Sequence, residues 1–96
     1  MESVKTLYER LLALPWPALG GSIGNFPLYE SLIAGCAHRA ANGYEVDPTT
    51  VPRPDDETLT AVARLRAKPL LSAAERAFLE YFELTEQIRS TLETDR

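Results

Sequence analysis

The stretch SAAERAFLEYFELTEQIRSTL, residues 72–92, constrains this chain more than any other. Ser72 and Glu75 have the spacing of a capping box, in which the hydroxyl serves the N3 amide and the carboxylate reaches back to the N-cap amide. From Glu75 to Leu92 no Gly or Pro interrupts the run. Ala74, Ala77, Phe78, Tyr81, Phe82, Thr85, Ile88 and Leu92 recur at three- and four-residue steps, which predicts one long amphipathic helix organising the core.

Three shorter helices are expected around it. Val4, Leu7, Tyr8, Leu11 and Leu12 form a stripe in SVKTLYERLLAL, with Ser3 as N-cap and Pro15 as the stop. A second helix starts near Pro27, with Asn25 or the backbone around Phe26 as cap, and carries Tyr29, Leu32, Ile33, Cys36, Ala37 and Ala40 on one side. Gly43 suits its C-terminal left-handed position. The third comes after VPRPDDE, where Asp55, Asp56 and Glu57 match the positive end of a helix and Arg64, Arg66 and Lys68 the negative end. Leu59, Val62 and Leu65 give it a narrow apolar edge, and Pro69 ends it.

No segment alternates like a strand, since TTV at 49–51 is short and closed by Pro52. The expected fold is therefore all-α: a compact four-helix domain spanning 1–96, bundled or orthogonally packed, with a long Gly/Pro-rich connection between its first two helices.

Charge restricts the partners. A net charge of −4 and a pI near 4.9 argue against nucleic acid and anionic membrane surfaces, which draw affinity from clustered Lys and Arg. A lone cysteine and the lack of an apolar run near 18 residues make the cytoplasm the expected location. No membrane partner is expected.

Two places could carry function. The connection PWPALGGSIGNFP, 15–27, holds the single Trp beside Gly20, Gly21, Ser22 and Gly24. Bare amides there, at the start of a helix, could grip an anionic group, with Trp16, Phe26, Tyr29 and Tyr44 lining a pocket. The opposing reading is a corner in which Trp16, Leu19, Ile23 and Phe26 fold onto the core while the glycines absorb unusual dihedrals. The second place is an acidic strip on the last helix, Glu75, Glu83, Glu86 and Glu93, with Leu79 within it and Leu84 on its other flank as exposed leucines.

Catalytic and metal chemistry find little footing. Cys36 and His38 lie two residues apart, about 200° around a helix, so they diverge. Walker, HExxH, CxxC and Ser-His-Asp patterns are absent, and no cofactor, metal or catalytic residue is expected. The leading expectation is a small acidic helical module that acts through protein–protein contacts, on a partner or a second copy, by way of Leu79, Glu83, Glu86 and Trp16. The alternative is a small-molecule or anion binder using Gly21, Ser22, Gly24, Tyr29 and Tyr44.

Overall fold

The computed structural model describes residues 2–94 and is all-helical over them, with no strand among the described residues. In order, α1 runs Val4–Ala13, α2 Phe26–Ala41, α3 Asp56–Ala67 and α4 Ala73–Thr94. Short 3-10 turns, Gly20–Ser22 and Pro48–Thr50, sit in the two long connections.

The helix ends obey local chemistry. Ser3 accepts from the Thr6 amide, and Asp55 accepts from the Thr58 amide at 2.8 Å. Ser72 and Glu75 close both halves of the capping box, Glu75 N to Ser72 Oγ at 3.1 Å and Ser72 N to Glu75 Oε1 at 2.8 Å. Gly43 takes φ +87° just beyond α2, a conformation that disfavours a Cβ. At the start of α2, Asn25 occupies the N-cap position but its side chain caps nothing there; it crosses to α3 instead.

α4 is the central element, in contact with α1, α2 and α3. Its 22 residues, about 33 Å at 1.5 Å per residue, account for most of the 40 Å longest dimension. Phe26, Phe78 and Phe82 form the middle of the core, with Phe26 and Phe78 edge to face at a centroid distance of 5.0 Å, a favoured ring geometry. Ile33, Ile88, Leu7, Leu11 and Val62 fill the space around them. Thr85, fully buried, gives its hydroxyl proton to the Phe82 carbonyl at 2.6 Å, so it packs as a hydrophobe would.

Several apolar residues fall elsewhere than their spacing indicates. Leu84 is buried, 5% exposed, and not a surface leucine. It lies on the flank of α4 that continues through Ile88, and α4 is packed from more than one side. Leu12, Leu32 and Leu59 leave the core stripes expected of them and stand in solvent. On α3 the position inside is Thr58, fully buried, because a hydrogen-bonding group is needed there. Ala77 is exposed as well.

Candidate functional site

The acidic strip of α4 is folded into ion pairs. Glu75 accepts from Lys68 Nζ at 2.5 Å, and Glu83 pairs with Arg66. The Arg89 guanidinium holds both Oε1 and Oε2 of Glu86, at 2.8 and 3.1 Å, and reaches Glu93 at 2.6 Å. Arg53 closes the row on Glu93 at 2.7 Å. Oε2 of Glu86 also accepts the Tyr29 hydroxyl at 2.5 Å. Burial raises the Glu86 pKa, but the Arg89 and Tyr29 donors outweigh it and hold the carboxyl below its ordinary value. These cations neutralise the strip from within the chain: Glu75 and Glu83 tie α4 to the C-terminal end of α3, and Arg89 pairs along α4 itself. Leu79, within it, is half-buried against the core.

Trp16 lies apart from that strip. Its ring meets Phe26 and Tyr81, each at 5.7 Å between centroids, and packs over Gly20, where a Cβ would stand 2.9 Å from the indole. Tyr81 occupies the core side of α4 and Glu83 the outer side, two residues and about 200° apart. The four residues named for the interface therefore do not share one surface.

The glycine-rich connection is a fastened corner. Amides of Gly20 and Ser22 are spent on Pro17 and Leu19 carbonyls, and that of Phe26 on Ile23. The Asn25 amide donates to Thr58 Oγ1 at 3.1 Å, while Asn25 Oδ1 accepts from the Asp55 amide at 2.9 Å. Thr58 in turn gives its hydroxyl proton to Asp55 Oδ1 at 2.7 Å. Gly24, at φ +48°, backs onto this cluster so closely that a Cβ would collide with Thr58 and Asp55. The space beside the loop is thus filled by the chain's own carboxylate, which the Thr58 hydroxyl and amide keep below its ordinary pKa. Gly21 and Ser22 are exposed on the outer side.

Tyr29 and Tyr44 do not join the loop in a pocket. Tyr29 is buried under Phe82 and Glu86. Tyr44 lies past the far end of α2, roughly 24 Å of helix away, where it lines an open groove of about 850 Å³ with Val4, Lys5, Val46 and Leu92. Cys36 is buried; His38 is exposed, its Nδ1 3.4 Å from the Tyr8 hydroxyl. Among the described residues no cluster of three His, Cys, Asp or Glu could hold a metal.

The surface that spacing alone misses is the outer face of α2. Leu28 and Leu32 are 61% and 49% exposed there, one turn apart, and Gly35 continues the row. Leu28 lies off the apolar stripe in the sequence, which is the one signal of it there. Arg39 stands at the C-terminal end of the same face. Beside the N-terminal end stand Asp55, Asp56 and Glu57, brought there by the Asn25–Asp55 bond. No helix of the described residues is long and apolar enough to cross a membrane. No protein-family model, curated protein or solved structure matches this chain.

Proposed function

We propose that this protein is a small acidic helical interaction module, acting through protein–protein contacts made by the outer face of α2. The observation that carries the reading is the pair of exposed leucines, Leu28 and Leu32, on a regular helix whose opposite side packs into the core through Phe26, Tyr29, Ile33 and Ala37. Adjacent exposed leucines on one helix face are what helix-in-groove and helix-on-helix contacts use. The acidic strip of α4 supports this choice of face by subtraction, since its carboxylates are already engaged within the chain. A net charge of −4 keeps nucleic acid outside the proposal. We place the module in the cytoplasm, where a single buried thiol, Cys36, is at home in a reducing compartment.

Photo-crosslinking in the native cells tests the reading. A benzoylphenylalanine at position 32 is expected to yield a protein adduct, and one at position 83, on the outer side of α4, is not. Adducts from position 83 alone would return the interface to α4. Adducts from neither would remove the module reading.

A further inference from the structure

Gly35 is a glycine without an internal reason. It sits in the interior of α2 with ordinary helical backbone, since the positive-φ glycines are Gly24 and Gly43. A Cβ built on it meets nothing within 4 Å. Glycine in a helix interior weakens the helix relative to alanine, and neither conformation nor packing within the chain calls for it. What a bare backbone on an exposed face permits is the close approach of another surface.

Resting on the docking reading above, we infer that the occupant is a second copy of this chain, its α2 packed antiparallel against the first. The pairing is isologous: with a two-fold axis near Leu32, Leu28 of each copy lies against Gly35 of the other, a large side chain over a missing one. The same register places Arg39 of each copy opposite residues 24 and 25 of the other. Asp56, exposed at the start of α3, flanks that point, because Asn25 Oδ1 holds the Asp55 amide at 2.9 Å. Charge therefore matches at both ends of the contact, basic end to acidic end, and only in the antiparallel sense. A parallel pairing sets Arg39 against Arg39 and the acidic cluster against itself.

Sedimentation velocity on the purified full chain, over rising concentration, tests this. The wild-type chain is expected to show a monomer–dimer equilibrium. Gly35→Gln fits the open space in the monomer and favours the helix, so the dilute chain should melt higher while dimer affinity falls by about thirtyfold or more. Arg39→Asp and Asp56→Arg should each weaken the dimer, and the double variant should restore it. A Gly35→Gln chain that dimerises as tightly as wild type, or a double variant no better than either single, overturns the pairing. A wild-type chain monomeric to about 1 mM also overturns it; if position 32 then still cross-links a different protein, docking by α2 survives without self-association, and if it cross-links nothing, both readings fall.

Discussion

The hydroxyl of Tyr29 reaches across from α2 to the Glu86 carboxylate of α4, at 2.5 Å, and this contact joins the core to the row of ion pairs outside it. The ring is buried against Phe26 and Phe82 while its oxygen meets a half-buried charge that Arg89 also grips. Tyr29→Phe keeps the ring and removes one of the carboxylate's donors. The expected loss is about 1.5 to 3 kcal/mol, the range for a hydrogen bond to a charged group. Chemical denaturation of the two proteins checks it, and an unchanged midpoint would show the hydroxyl to be idle.

The same carboxylate sets a pH dependence. Glu86 titrates below its ordinary value of 4.5 when folded, so at moderately acid pH the unfolded chain binds more protons than the folded one. Its contribution is complete above that value and drains away as pH falls through the lower, folded one. Asp55 and Glu75 are also lowered, by Thr58 and by Lys68 respectively, and act in the same direction. Glu86→Gln should therefore lower stability at pH 7 and flatten, without abolishing, its decline below about pH 4.5. Melting temperatures across pH 3 to 7 decide this; a slope identical to wild type would exclude Glu86 as a contributor.

How far the sequence reaches depends on whether a feature is local. Ser3, Asp55, the Ser72/Glu75 box and Gly43 act within a few residues of themselves, and each stands where its neighbours require. The partners of the acidic strip are not legible in the chain. Arg66 and Lys68 read as a charge match to their own helix end, yet their side chains reach Glu83 and Glu75 on the next helix, and only the crossing of α3 and α4 brings them there. Leu84 departs from its expected place for a related reason: α4 is packed from several sides, so its buried arc is wider than the stripe of a helix with one neighbour. Leu32 departs the other way. It sits three residues from Tyr29 and one from Ile33, a spacing that fits the core stripe, but no helix of the described residues covers that side of α2. The glycine loop admits two readings from its own residues, and Thr58, which settles its geometry, lies more than thirty positions away.

Within that loop the glycines are unequal. Gly24 combines φ +48° with direct contact against Thr58 and Asp55, whereas Gly21 faces open space. Gly24→Ala should cost at least about 2 kcal/mol, from the left-handed backbone and the collision together. Gly21→Ala should stay within about 0.5 kcal/mol of wild type. Urea midpoints measure both, and equal effects at the two positions would contradict the fastening of the corner by Asn25, Asp55 and Thr58.

Leu84 and Leu28 give a sharp contrast between two leucines of this chain. Both lie on amphipathic helices, yet one is 5% exposed and the other 61%. Lysine at position 84 would carry an ammonium into the buried side of α4 that continues through Ile88. A loss of roughly 3 kcal/mol or more is expected, from the removed apolar contact and the desolvated charge. Leu28→Lys leaves its charge in water and should shift the melting temperature of the dilute chain by less than about 4 °C. Thermal melts at low protein concentration, where association does not enter, compare them directly. Equal losses would mean that Leu28 is covered within the single chain, and the outer face of α2 would then be part of the core.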